Sequence, residues 1–140
     1  MSQRLNQLYE AIQGQTTADG LTLRAEMHSE GAEGLRLWVQ DREELPILLT
    51  LDDEQILVST VLWREADIQP ERRTELLDVL LTLNLSMPLS SFGKLGDQYL
   101  LFGALSVRAT DAEILEDITA LSDNTLSALD LAADYLYPSR

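Results

Sequence analysis

Apolar and polar residues alternate along much of the chain, and the period of alternation changes several times. Over residues 4–13, Leu5, Leu8 and Ile12 recur at three and four, and Gly14 follows. That spacing predicts a short helix with one apolar stripe. Over residues 21–28 the period drops to two. Leu21, Leu23, Ala25 and Met27 share one face, with Thr22, Arg24, Glu26 and His28 on the other. A half-buried strand reads this way. Residues 29–34 hold two glycines and read as a loop, after which Leu35, Leu37 and Val39 resume the alternation with Arg36, Trp38 and Gln40 outward. The two strands form a predicted hairpin.

A third strand is predicted over 45–51, with Pro46 at its start or on a sheet edge, because proline lacks the ladder N–H. Asp52 and Asp53 mark a tight turn. Residues 55–63 form a fourth strand that is apolar on both faces. Ile56, Val58 and Leu62 fall on one, and Leu57, Val61 and Trp63 on the other. Pro70 suits a helix start, Leu76, Leu77, Leu80, Leu81 and Leu83 supply its stripe, and Asn84 and Pro88 end it. Residues 92–97 read as a turn, and 99–107 as another strand apolar on both faces, where Gly103 marks a bulge or a close backbone approach. Thr110 to Glu113 spells a capping box that opens a long C-terminal helix. Its acids are Asp111, Glu113, Glu116, Asp117, Asp123, Asp130 and Asp134, and Ser122-Asp123-Asn124 is a point where it would kink or restart.

The predicted order is α-β-β-β-β-α-β-β-α. The connections are too short for repeated βαβ units. The expected fold is therefore α+β, an antiparallel sheet meander with helices packed on one face, in a single domain spanning 1–140.

Charge narrows the functional classes. Twenty-four acids oppose ten bases, for a formal net charge of −14. Only Lys94 is a lysine, and basic residues adjoin only at Arg72-Arg73. Phosphate neutralisation needs clustered Lys and Arg, so nucleic-acid binding and docking on anionic lipid are disfavoured. The absence of cysteine removes disulfides, thiolate metal sites and cysteine nucleophiles. Residues 1–10 lack a signal-like apolar run, and no stretch reaches the roughly 20 apolar residues of a membrane span, so a cytoplasmic protein is expected.

Candidate chemistry is sparse. His28 is the single histidine, with Glu26 two residues away as an orienting carboxylate, but nothing marks a nucleophile. Asp52-Asp53-Glu54 lacks the alternating ligands and central glycine of a calcium loop. Gly93-Lys94-Leu95-Gly96 lacks the spacing of a phosphate loop and precedes a strand, so a hairpin is the better reading. No catalytic, metal or cofactor residues are assigned, and the chain is expected not to be an enzyme. The hints of function are apolar. Trp38 alternates onto the solvent face of its strand and Trp63 onto the second apolar face of its own. Either helices cover both sides of the sheet, or a second subunit or partner segment does. Trp38 and Trp63 are the partner-binding candidates.

A family resemblance is carried by Asp41-Arg42-Glu43-Glu44-Leu45-Pro46-Ile47, Leu62-Trp63-Arg64-Glu65 and Pro70-Glu71-Arg72-Arg73. Leu81-Thr82-Leu83-Asn84, Met87-Pro88-Leu89-Ser90-Ser91-Phe92-Gly93, Phe102-Gly103-Ala104-Leu105-Ser106 and Leu121-Ser122-Asp123-Asn124-Thr125-Leu126 continue it. These strings resemble the YjfI-type family of bacterial proteins, over roughly residues 35–137. The resemblance implies no catalytic residues. It implies a genomic setting beside a PspA-like membrane-stress protein. The element order is also similar to that of the type III secretion chaperone fold, whose members are small, acidic dimers that hold extended partner segments. The extra strand at 35–39 departs from that order. Taken together, an acidic adaptor or chaperone-like homodimer with a protein partner, PspA-like as the resemblance implies, is the leading expectation, its charge steering it towards basic segments. A small-molecule sensor or enzyme with a pocket near His28 is the alternative.

Overall fold

The computed structural model describes residues 3–28 and 33–138. The predicted 29–34 loop therefore lies mostly outside the described residues. The elements run α1 (Gln3–Ile12), β1 (Leu23–His28), β2 (Gly34–Val39), β3 (Ile47–Leu51), β4 (Gln55–Arg64), α2 (Arg73–Leu83), β5 (Ser91–Leu95), β6 (Gln98–Ser106) and α3 (Asp111–Ala132). The six strands form one antiparallel sheet in the order β1-β2-β3-β4-β6-β5. The fold class and element order are those expected from the sequence. The strand over 35–39 is β2, bonded on both sides within the sheet.

The helices gather on one face. Leu5, Leu8 and Ile12 of α1 and Ile114, Ile118 and Leu121 of α3 bury against Leu23, Ala25, Leu35, Leu37, Val39, Ile47, Leu49, Ile56, Val58 and Leu101. These strand positions alternate, as a sheet with one covered face requires. A second cluster forms under α2, where Leu76 and Leu80 meet Trp63, Tyr99, Ile68 and Ala132. Arg4 donates to the carbonyls of Val107 (3.1 Å) and Ala109 (2.9 Å), fastening α1 to the chain that leaves β6.

Three local outcomes differ from the pattern reading. The segment read as a turn over 92–97 is mostly β5, and only Gly96 (φ 61) and Asp97 turn the chain. Gly93 and Lys94 hide that strand, because neither residue favours β structure. The α2 region begins with a 3-10 turn at Pro70–Arg72. Helix α3 runs 22 residues unbroken through Ser122-Asp123-Asn124. These three polar side chains find partners outside the helix backbone. Arg42 donates to Ser122 Oγ and Asp123 Oδ1, both at 2.8 Å, and Asn124 donates to the Pro88 carbonyl (2.9 Å) and Ser90 Oγ (3.0 Å). They therefore do not compete for the helix's own hydrogen bonds. Its N-terminus carries the expected capping box: the Glu113 N–H donates to Thr110 Oγ1 (3.1 Å), and the Thr110 N–H donates to Glu113 Oε1 (2.8 Å).

Candidate functional site

The face of the sheet turned away from the helices is the candidate site. Register fixes its residues. Glu26 of β1 lies opposite Arg36 of β2, Arg36 opposite Leu48 of β3, Leu48 opposite Ser59 of β4, and Ser59 opposite Phe102 of β6. In the neighbouring rows Arg24 faces Trp38, Leu57 faces Ala104, and Val61 faces Leu100. The β1–β2 side is thus polar and the β3–β4–β6 side apolar. The apolar part is concave and encloses about 700 Å³, with Leu48, Leu57, Val61, Leu100 and Phe102 on its floor and Leu95, 70% exposed, at its rim. No described helix lies over it.

Trp38 and Trp63 take different places. Trp38 is half-buried on the open face, where the Arg24 guanidinium lies 3.9 Å from its ring centroid. Arg24 also pairs with Glu26. Such stacking is worth about 0.5–1 kcal/mol at exposed sites. Trp63 is not on that face. It is 4% exposed, beneath α2, with its ring centroid 6.0 Å from that of Tyr99. The cause is a β-bulge. Val61 pairs with Leu100 and Trp63 with Tyr99, so Leu62 is an extra residue in β4. One extra residue reverses the alternation beyond it. Trp63 thereby joins the core and leaves the surface, and its indole Nε1 is buried with no hydrogen-bond partner.

The site residues that the sequence did not single out are Leu48, Leu100 and Phe102, whereas alternation already turned Arg36 outward. The signal was present: two strands apolar on both faces in a sheet covered on only one.

Charge is segregated. Glu75 and Asp78 stand exposed on α2, and Asp111, Glu113, Glu116 and Asp130 on α3. Among the described residues the open sheet face by register carries Arg24, Arg36 and Arg64 against one acid, Glu26. The groove lining includes Arg36 and Lys94 and no acid. Lys94 turns to the helix side, 3.7 Å from Glu65. The whole-chain charge therefore does not describe this surface. Arg36 has no ion-pair partner among the described residues.

On the helix side, Glu65 accepts from Arg73 Nε (2.8 Å) and Nη2 (3.2 Å) and from the Tyr99 hydroxyl (2.8 Å). The Arg73 bonds, then the Tyr99 bond, hold the Glu65 carboxyl below its ordinary range, and burial followed by the Glu65 bond pushes the Tyr99 phenol up. This network pins the 3-10 turn at Glu65–Asp67 to α2 and β6, and is structural in geometry. His28 ends β1 opposite Gly34, and the larger cavities among the described residues do not include it. Glu26, its suggested orienter, is engaged by Arg24. Asp52 accepts from the N–H groups of Glu54 (2.8 Å) and Gln55 (2.9 Å), which builds the β3–β4 turn and holds its carboxyl below the ordinary range. The Gly93-Lys94-Leu95-Gly96 run forms the β5–β6 hairpin.

Neither sheet edge is bare. On β1 the Ala25 N–H donates to Gln13 Oε1 (2.6 Å), and Leu23 exchanges backbone bonds with Gly14 and Gln15. On β5 the Phe92 N–H donates to Asn84 Oδ1 (2.7 Å), while Asn84 Nδ2 donates to the Phe92 carbonyl (3.5 Å). Side-chain amides stand where a neighbouring strand would bond.

Comparison with known proteins places the fold and the family. The chain is 30% identical over 112 residues to YjfI of Escherichia coli K12, covering 77% of this chain and 81% of that protein. YjfI of Escherichia coli O157:H7 matches to the same extent. Among solved structures, YbjN of E. coli, described there as a candidate transcription regulator, aligns with a TM-score of 0.58 over 82% of this chain and 87% of that one. At 16% identity this likeness speaks for the fold alone. No helix among the described residues is long and apolar enough to cross a membrane. Residues 2–136 match the family described as an uncharacterized protein conserved in bacteria, DUF2170, and the chain belongs to that family.

Proposed function

We propose that the chain is a cytoplasmic, non-enzymatic protein-binding module, adaptor-like or chaperone-like, that docks a partner on the open face of its sheet. One observation carries the reading: β4 and β6 are apolar on both faces, and the helices cover only one. Burying apolar surface is worth about 25 cal/mol per Å², and a concave patch floored by Leu48, Leu57, Val61, Leu100 and Phe102 suits an apolar protein segment. The half-buried Trp38 beside it supplies an aromatic anchor of the kind enriched at interfaces. A PspA-like membrane-stress protein is the partner to test first, and association of two copies is the competing use of the same surface.

Light scattering of the purified chain, alone and mixed with a PspA-like partner, tests this. A complex is expected that is lost in Phe102→Glu and Leu57→Glu while their melting temperatures stay within a few degrees of the parent. If both variants assemble as the parent does, the open face is not the docking surface.

A further inference from the structure

The open face has a chemistry that narrows what it holds. Its floor is leucine, valine and phenylalanine. Among the described residues its charged side chains by register are Arg24, Arg36, Arg64 and Glu26, and Arg24 and Glu26 neutralise each other. In a chain with 24 acids and ten bases, an excess of arginine around this uncovered apolar surface runs against composition. Arg36 projects at the groove rim, opposite Leu48 in the register, with no carboxylate of its own to bond among the described residues. A guanidinium presents a fork of donors that fits a carboxylate.

The occupant's backbone is constrained as well. A segment lying on a sheet face, away from the edges, cannot bond to the ladder. An extended segment there would bury N–H and C=O groups without partners, whereas a helix satisfies its own. Strand addition at the edges is opposed by Gln13 and Asn84 at Ala25 and Phe92. We infer that the partner presents an amphipathic helix to this face, its apolar stripe on Leu57, Leu100 and Phe102 and an acidic flank on Arg36. The inference rests on the protein-docking reading of the same face. The net charge of −14 opposes an acidic partner at long range. That opposition is screened beyond about 8 Å at physiological salt, and contact at Arg36 decides the preference.

Two synthetic helix-forming peptides of about 18 residues, long enough to hold a helix, test it. Both carry the same leucine stripe, flanked in one by glutamate and in the other by lysine. Each is titrated into the isotope-labelled protein and followed by amide NMR shifts. The glutamate peptide is expected to shift the amides of Leu48, Leu57, Leu100 and Phe102 to saturation, and the lysine peptide to bind there about tenfold more weakly, the scale of a charge contact at an interface rim. Arg36→Glu is expected to invert that order. Equal or tighter binding of the lysine peptide at these amides overturns the acidic flank and leaves the docking face standing. Shifts at the same amides on dilution alone identify a second copy as the occupant, which overturns the helix but not the face. No shift at these amides in any titration overturns both.

Discussion

Asp117 shows what a single side chain does when a helix meets a sheet too closely for water. It sits on α3, 3% exposed, with its Oδ1 unbonded. Burial, with the neighbouring Glu116 charge, pushes its carboxyl up to about 6. The folded protein therefore holds this proton more tightly than the unfolded chain does. Its contribution to stability is complete below the unfolded value of 3.8 and is lost as pH rises to about 6. The full difference corresponds to roughly 3 kcal/mol. Asp117→Asn, which removes the charge and keeps the shape, is expected to raise unfolding free energy by about 1–2 kcal/mol at pH 8 and to make little difference at pH 4. Urea titrations at the two pH values check this; a gain of equal size at both would show that ionisation is not the cause. The contact that seals Asp117 is Gly103. A Cβ there would lie 2.2 Å from Asp117 Oδ1 and 3.1 Å from the Leu89 carbonyl oxygen. Gly103→Ala is expected to cost about 2–3 kcal/mol. Part of that loss should return in the Gly103→Ala, Asp117→Ala double variant, measured as a coupling in a double-mutant cycle. The sequence marked Gly103 as a bulge or a close approach. It is a close approach, and nothing in the sequence names the helix residue that approaches.

Among the elements, β5 owes its pairing limit to Asn84. The side-chain amide occupies both outward backbone groups of Phe92 and ends the row of open donors and acceptors. Asn84→Ala is expected to lower stability by about 1–2 kcal/mol, the cost of leaving one or two such groups poorly satisfied. It should also raise the tendency to self-associate through the freed edge, visible as light scattering on warming. An unchanged scattering onset would show that β5 is too short to recruit another chain. Apart from β5, read as a turn, the strands and helices were legible because burial here follows period two and period 3.6 closely, as Leu35, Leu37 and Val39 or Ile114, Ile118 and Leu121 show. The bulge at Leu62 was not. Its flanks hold no glycine or proline, and an insertion in β4 is defined only against its partner β6, whose register the sequence of one strand does not state. That single residue decided which tryptophan reaches the surface. The open face was half legible: two strands read as apolar on both faces, but the sequence left open whether helices or a partner cover the second.

For the molecule as a whole, self-repulsion and local pairing act in opposite directions. Five ion pairs are present among the described residues, and all involve partly or fully exposed side chains. Exposed pairs contribute up to about 1 kcal/mol each and weaken with salt. The excess of 14 negative charges destabilises the compact state, and salt relieves it. The excess wins by number, so the melting temperature at pH 8 is expected to rise by a few degrees between low salt and about 0.3 M sodium chloride, where the screening length is short. A falling melting temperature in calorimetry would place the pairs, led by Arg73–Glu65, ahead of the repulsion.

The extra residue at Leu62 leaves the protein with two indoles in unlike surroundings and no third. Trp63, sealed under α2, is expected to emit from a dry environment for as long as the chain is folded, and Trp38, half-covered on the open face, to respond to a partner docked there. A spectrometer can thus follow occupancy and integrity in one cuvette, without a dye. A blue shift or quench that survives Trp63→Phe and disappears in Trp38→Phe belongs to the visitor and not to the host.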